Sequence, residues 1–140
     1  MSNEFRGTGN IGQAPTLRTV KVHGEDRSVV DLRVYFDRRI PMKDGSYDDD
    51  GGFWLTVSVW GSRADNAFKL FSKGMRIEVL GALRLETWEN DNEVRTEFRL
   101  TADKISIDPI CLDSVTLRKR TGTADEPDAL PVDHQVPETA

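Results

Sequence analysis

Apolar and polar residues alternate along four segments of the chain, with the period of two that is typical of half-buried β-strands. The segments are residues 29–37, 53–60, 75–88 and 93–107. Successive side chains of a strand point to opposite sides, so the apolar residues of each segment share one face. The predicted inward-facing residues are Val30, Leu32, Val34, Phe36, Phe53, Leu55, Val57, Val59, Ile77, Val79, Leu83, Leu85, Val94, Phe98, Leu100, Ile105 and Ile107.

Two of these strands carry signs of a bend. Gly81 lies in the middle of the segment 75–88, and a glycine inside a strand often marks a bulge. In the segment 93–107 the apolar positions change from even to odd numbers, which predicts a bulge near residues 102–104. Residues 89–92 are a predicted turn between these two strands, and residues 38–51 a long loop.

One helix is predicted over residues 62–73, after the second of these segments. Its apolar residues at helical spacing are Ala64, Ala67, Phe68 and Phe71. Ser62 followed by Asp65 resembles a capping box, and Lys73 with Gly74 suits a helix end. The order is then strands, a helix between the third and fourth strands, and a long hairpin. This predicts an all-β fold with one helix, the five-stranded Greek-key barrel of the OB-fold, with another all-β fold as the alternative.

Charge and composition divide the chain into a domain, residues 1–107, and a tail, residues 108–140. The domain carries 16 Lys or Arg and 17 Asp or Glu, whereas the tail carries 3 and 7. The tail is acidic, contains prolines and has few large apolar residues, so we predict that it is mostly disordered. The net charge of −5 comes mainly from the tail, and nucleic-acid binding depends on the local field of the binding face.

Several classes of function are disfavoured by the sequence. No apolar run approaches the roughly 18 residues of a membrane span, and no signal pattern opens the chain, so we expect a cytoplasmic protein. Cys111 is the single cysteine and His23 and His134 are distant, which argues against a disulfide or a zinc site. No catalytic triad, P-loop or nucleotide fingerprint is present, so we expect no enzymatic activity and no cofactor.

Aromatic and basic residues occupy the strand faces opposite the predicted core. They are Arg33, Tyr35, Trp54, Trp60, Arg76, Arg84 and Trp88. Stacked bases would cover such rings at about 1–3 kcal/mol per base, with neighbouring arginines on the phosphates or stacked in turn. This pattern predicts binding of unpaired nucleic acid without sequence preference. The alternative is that the rings form a protein interface or a second layer of core.

Three motifs resemble those of bacterial single-stranded DNA-binding proteins. Residues 9–15 read Gly-Asn-Ile-Gly-Gln-Ala-Pro, close to the opening motif of that family, with Leu17 and Arg18 after it. Residues 53–61 resemble its central strand, with Trp54, Trp60 and Gly61 at the family spacing. Residues 71–83 resemble its Lys-Gly strand, which continues to the tryptophan at position 88, and the match runs from about residue 9 to 107.

The resemblance implies an OB-fold homo-oligomer, a tetramer or a dimer, that wraps single-stranded DNA in replication, recombination or repair. It implies that bases stack on Trp54, Trp60 and Trp88, and that Lys73 contacts a phosphate. Three departures stand out. The N-terminal strand is weak at residues 3–8, no tryptophan follows Phe36, and the last residues lack the family's terminal hydrophobic motif that recruits replication partners.

Two further interpretations stay open at this point. An OB module of primosome type, which assembles proteins and touches DNA weakly, would fit the net acidity and the missing terminal motif. RNA binding is also compatible with the residues, because stacking surfaces do not by themselves distinguish the sugar.

Overall fold

The computed structural model describes residues 3–119, whose backbone forms strands around one helix. The strands are β1 (Asn3–Ile11), β2 (Thr16–Val22), β3 (Glu25–Phe36), β4 (Arg39–Pro41), β5 (Tyr47–Asp49), β6 (Phe53–Trp60), β7 (Arg76–Asn90) and β8 (Glu93–Ile107). The helix α1 (Ser62–Leu70) lies between β6 and β7, and a short 3-10 helix, Pro109–Cys111, follows β8. No helix among the described residues is both long enough and apolar enough to cross a membrane.

Five strands close into a barrel. β1 pairs with β7, β7 with β8, β6 with β3, and the end of β3 with β1, all antiparallel. The remaining neighbours, β6 and β8, pair in parallel and complete the ring. β2 extends β3 outside the ring, and β4 and β5 form a separate small hairpin. The helix therefore connects the third and fourth barrel strands, and the predicted OB-fold is confirmed.

The barrel interior holds the core that the alternating pattern predicted. Its buried strand residues are Ile11, Val30, Leu32, Val34, Phe36, Leu55, Val57, Val59, Ile77, Val79 and Leu100. Helix α1 adds Ala64 and Ala67, and Phe71 follows directly behind it. Small residues on the buried side of the helix let its backbone approach the strands closely.

The predicted bulge lies where β7 and β8 bend around the barrel. Leu80 pairs with Lys104, whereas Gly81 pairs with Ala102, so Asp103 is the extra residue of β8. A Cβ atom at Gly81 would collide with the carbonyl oxygen of Thr101, which explains the glycine at this bend. The bulge also explains the change of parity in the apolar pattern of β8.

The inward prediction was wrong for the far half of the β7–β8 hairpin and for Phe53 at the start of β6. Phe53, Leu85, Val94 and Phe98 are 45%, 56%, 65% and 53% exposed. They lie on the predicted face of their strands, but at this end of the sheet residues 3–119 provide no second layer that buries them. Phe5 of β1 and Phe36 of β3 approach this surface at Phe53, with ring centroids 5.9 and 6.0 Å from that of Phe53. We call Phe53, Leu85, Val94 and Phe98 the apolar hairpin surface.

The boundaries of several elements also differ from the predictions. The helix ends at Leu70 rather than Lys73, because Phe71 is extended and turns its ring into the core. Gly61 holds the N-cap position without a side-chain hydrogen bond, so the predicted capping box of Ser62 and Asp65 is absent. Gly74, with φ of 96°, belongs to the following turn rather than to a helix C-cap.

The N-terminal strand and the long loop are more ordered than predicted. β1 forms eight pairs with β7, and its Phe5 packs edge-on against Phe36 at 5.1 Å. Pairing with β7 and the packing of the Phe5 ring therefore hold in place a strand for which the polar sequence of residues 3–8 gave only a weak signal. Within the loop predicted for residues 38–51, β4 and β5 form a hairpin.

The tail prediction falls mostly outside the described part of the chain. Asp108 caps the 3-10 helix by accepting from the Ile110 amide at 3.0 Å. Residues 112–119 form no regular element. Residues 120–140, on which the prediction of disorder mainly rests, lie outside the described residues.

Candidate nucleic-acid interface

An aromatic pair lies on the outer side of the barrel, where β3 and β6 run next to each other. Tyr35 of β3 is directly opposite Trp54 of β6. Their ring centroids are 5.3 Å apart, with an angle of 56° between the ring planes. Trp54 is 48% exposed, so the pair offers a broad aromatic surface to solvent.

Trp54 is positioned by the turn after β1. A Cβ atom at Gly12 would be 2.5 Å from the indole carbons Cη2 and Cζ3, so a side chain at this position would displace the ring. The Gly12 amide donates to the Arg33 carbonyl at 2.8 Å. The Arg33 guanidinium carbon lies over the Trp54 indole, 5.9 Å from the ring centroid. The second glycine of the Gly-Asn-Ile-Gly motif thus makes room for the tryptophan.

Tyr35 is positioned by the β4–β5 hairpin, which the sequence did not predict. Its hydroxyl donates to Asp49 Oδ2 at 2.7 Å, and Asp49 Oδ1 accepts from the Arg38 amide at 3.0 Å. The hydrogen bond to the Asp49 carboxylate raises the pKa of Tyr35. A Cβ atom at Gly52 would collide with the tyrosine hydroxyl, so the ring passes close over that glycine. The hairpin fixes the ring beside Trp54.

The other two tryptophans lie toward the ends of the same strand faces. Trp60 is half-buried and pairs with Val29 of β3. Trp88 is 37% exposed and pairs with Arg95 near the tip of the β7–β8 hairpin. None of the three tryptophans belongs to the buried core, as their alternating positions predicted. We call the outer side of β3, β6, β7 and β8 that carries Tyr35 and the three tryptophans the aromatic face.

Arg33 and Arg84 lie on the aromatic face, each beside a carboxylate. Arg33 donates to Thr56 Oγ1 at 3.0 Å, and its Nη1 is 3.7 Å from a Glu97 oxygen. Arg84 Nη1 is 3.3 Å from a Glu86 oxygen, with about half of the arginine side chain exposed. Both arginines are accessible from solvent, and neither is free of a partner.

The remaining two predicted basic residues have different surroundings. Arg76 forms a two-point ion pair with Asp37 at 3.0 and 3.2 Å and also donates to Asn10 at 3.1 Å. Partial burial raises the pKa of Asp37, but the hydrogen bonds and charge of Arg76 outweigh it, and the pKa is lowered. Arg76 therefore ties β7 to the end of β3. Lys73 is exposed in the turn before β7, and within residues 3–119 it forms no ion pair.

A polar network that sequence reasoning missed crosses the middle of the aromatic face. Asp31 accepts from Arg18 at 2.7 Å, from Ser58 at 2.8 Å and from Arg99 at 3.2 Å. Arg99 also donates from Nε to Glu86 at 2.9 Å. Burial alone would raise the pKa of Asp31, but hydrogen bonds from Arg18 and Ser58 and the two arginine charges lower it.

The signal for this network was present in the sequence only in part. The outward positions of β3, β7 and β8 alternate in charge, which is also the pattern of an ordinary solvated strand. The partners are separated by 13 to 68 residues, and their pairing depends on the strand register. Among residues 3–119, no group of three or more His, Cys, Asp or Glu side chains is arranged to hold a metal ion.

The chain is similar to known single-stranded DNA-binding proteins in sequence. The model of the Single-strand binding protein family matches residues 3–108. A single-stranded DNA-binding protein of Corynebacterium glutamicum is 31% identical over 99 residues, which cover 69% of this chain and 43% of the relative. Single-stranded DNA-binding protein 1 of Clostridium acetobutylicum is 26% identical over 88 residues, which cover 63% of this chain and 76% of the relative. The chain thus spans less than half the length of the first of these relatives.

Solved structures support the same fold. The small single-stranded DNA-binding protein of Streptomyces coelicolor aligns with a TM-score of 0.64 at 21% identity, over 76% of this chain and 94% of that structure. A deletion mutant of the single-stranded DNA binding protein of Thermus aquaticus aligns with a TM-score of 0.57 at 24% identity, over 75% of this chain and 49% of that structure. With the family model covering the whole barrel, the chain belongs to the Single-strand binding protein family.

Proposed function

We propose that the protein binds single-stranded DNA without sequence preference, by stacking bases on the aromatic face, and that it catalyses no reaction. The observation that carries this proposal is the exposed Tyr35–Trp54 pair, which the glycines at positions 12 and 52 leave room for. Every base has a π-face, so stacking gives a grip that tolerates any sequence. Duplex DNA would bind weakly, because its bases are already stacked and paired.

The aromatic rings and the cations have different parts in this proposal. Trp54 and Trp88 are the principal stacking residues because they are the most exposed tryptophans, while the half-buried Trp60 offers less of its ring. Lys73 and Arg84 are the candidate phosphate contacts. We assign Arg76 a structural role instead, because its ion pair with Asp37 occupies the guanidinium.

The names of two relatives support the choice of ligand. The proteins of Corynebacterium glutamicum and Clostridium acetobutylicum are both called single-stranded DNA-binding proteins. A role in replication, recombination or repair, and hence a place in the cytoplasm with the DNA, is part of the proposal.

Titration with an oligothymidylate, followed by tryptophan fluorescence, tests the proposal. We expect quenching of the wild-type protein at low salt, and a loss of about 1–3 kcal/mol in binding free energy for Trp54→Ala and for Trp88→Ala. Phe68→Ala is the matched control, because Phe68 is an equally exposed ring on helix α1. Wild-type affinity in both tryptophan variants, or an equal loss in the control, would remove these rings from the site.

We also propose that the protein is a homo-oligomer. The apolar hairpin surface supports this, because contiguous exposed apolar side chains in a protein usually mark a contact with another molecule. Its aromatic members, Phe53 and Phe98, are typical of protein interfaces. Sedimentation of the wild-type protein and of Phe98→Glu tests this: we expect the variant to dissociate, while Leu117→Glu, at an exposed position after β8, stays assembled. A monomeric wild type would reject the proposal.

The second candidate function, an OB module that assembles other proteins, uses the same apolar hairpin surface. It differs in the strength of DNA binding. Weak quenching even at low salt, together with a stable complex with a helicase or primase factor, would favour this module over the DNA-binding protein.

A further inference from the structure

We propose that the aromatic face carries its own counterions: Asp31, Glu86, Glu93 and Glu97 neutralise its arginines and compete with nucleic-acid phosphates for them. We call these four residues the counterion carboxylates. The inference rests on the proposed binding of single-stranded DNA and concerns the source of its affinity. Base stacking is then the main contribution to the binding free energy, and attraction between arginines and phosphates is a minor one.

Five arginines, four on the aromatic face and Arg18 on the neighbouring β2, lie within ion-pair distance of a counterion carboxylate. The pairs are Arg18–Asp31 at 2.7 Å, Arg99–Asp31 at 3.2 Å, Arg99–Glu86 at 2.9 Å, Arg84–Glu86 at 3.3 Å, Arg33–Glu97 at 3.7 Å and Arg95–Glu93 at 3.7 Å. These five arginines face four carboxylates, so the group carries a net charge of +1. A sequence count of basic residues overstates the attraction for phosphates.

The pairs fall into an inner and an outer group. Arg99 and Asp31 are only 17% and 20% exposed, and Ser58 bonds to both, so this inner pair is a fixed part of the barrel wall. Arg33 and Arg95 are 36% and 63% exposed, and their pairs with glutamates are long. Exposed ion pairs contribute little to stability, so a phosphate can displace the glutamate at these outer positions.

This arrangement has a measurable consequence for salt dependence. Each phosphate contact to a free cation releases condensed counterions and makes the slope of log K against log salt steeper by about 0.7 for a single strand. Five free arginines would contribute a slope of roughly −3.5, whereas a group with a net charge of one contributes roughly −0.7. Stacking is insensitive to salt, so the affinity should persist when the salt concentration rises.

Glu97→Gln tests this directly, because Glu97 pairs only with Arg33 and its substitution keeps the size of the side chain. We expect the variant to bind an oligothymidylate roughly two- to fivefold more tightly at about 50 mM salt, with a slope steeper by about 0.7. Glu93→Gln, which releases Arg95, is a second and independent variant with the same expected direction.

Glu25→Gln is the matched control. It removes the same charge from β3, where Glu25 lies 3.9 Å from Arg27, but ten residues and roughly 33 Å along the strand from Tyr35. We expect its affinity and slope to stay close to those of the wild type. Any general effect of lowering the acidity of the protein would appear equally in this control.

The outcomes separate this inference from the proposed function. Binding by the wild type with a slope of about −3 or steeper, or variants at Glu97 and Glu93 that match Glu25→Gln, would overturn the counterion proposal and leave the binding function standing. Absence of quenching in all four proteins at low salt would reject the binding function, and the counterion proposal with it.

Discussion

The two halves of the β7–β8 hairpin have the same alternating sequence pattern and opposite surroundings. In the barrel half, Ile77, Val79 and Leu100 are fully buried. In the distal half, Leu85 and Phe98 pair with each other across the strands and are more than half exposed. The hairpin register is continuous apart from the bulge at Asp103, so strand geometry is the same in both halves.

The difference shows what alternation can and cannot predict. A period of two fixes which side chains share a face of the sheet, because that follows from the geometry of an extended backbone. It does not fix whether a second layer covers that face. In the barrel half the opposite wall and helix α1 supply that layer, whereas the side chains of the distal half stay exposed. The same apolar residues are core in one place and a contact surface in the other.

The strongest test of this contrast is truncation of one leucine in each half. Leu100→Ala should lower the free energy of unfolding by about 2–5 kcal/mol, because it leaves a cavity in the barrel. Leu85→Ala should change it by no more than about 0.5 kcal/mol in the dissociated protein. Denaturant unfolding at several protein concentrations measures both, and equal losses would mean that the distal half is buried within the monomer.

A smaller effect is expected from the inner ion pair of the aromatic face. Asp31→Asn should lower the free energy of unfolding by about 1–3 kcal/mol at pH 7, since Arg18 and Arg99 lose their charged acceptor. Because the pKa of Asp31 is lowered on folding, its contribution is complete above the pKa of the unfolded state and is lost as the pH falls through the folded value.

Unfolding of the wild type and of Asp31→Asn at pH 7 and near pH 3 measures that contribution. We expect the difference between the two proteins to shrink at the lower pH. Asp26→Asn is the control, since Asp26 is exposed and pairs only loosely with Lys21 at 3.7 Å. A difference that stays constant between the two pH values would mean that the charge of Asp31 has no part in stability.

The smallest effect concerns the room that Gly12 leaves for Trp54. Gly12→Ala should push the indole from its place and weaken binding of single-stranded DNA by roughly 0.5–1.5 kcal/mol, the energy of a strained side-chain rotamer. The near-ultraviolet circular dichroism of the tryptophans should change as well. An unchanged affinity and spectrum would show that the ring has space to move without consequence.

Local patterns in the sequence were sufficient for much of the fold. The bulge at residues 102–104 was predicted from a change of parity, and it lies at Asp103. The turn at residues 89–92 places Asp91 and Asn92 at positive φ, as two-residue hairpin turns require. Both features depend on neighbours in the chain, and a single sequence contains that information.

Features that depend on distant contacts could not be predicted in the same way. The helix ends three residues early because the core takes up the ring of Phe71, which no helical spacing encodes. The outward positions of Trp54 and Tyr35 followed from alternation, whereas the hydrogen bond from Tyr35 to Asp49 needed the unpredicted β4–β5 hairpin. The counterion carboxylates became visible only once the strand register was known.

Fluorescence of single-tryptophan proteins tests the central claim most directly. In one protein Trp60 and Trp88 are replaced by phenylalanine, and in the other Trp54 and Trp60, so each reports on one exposed ring. Bases stacked on the aromatic face should quench both proteins on addition of an oligothymidylate. Binding detected by another method, with no change in the emission of either tryptophan, would contradict stacking on this face.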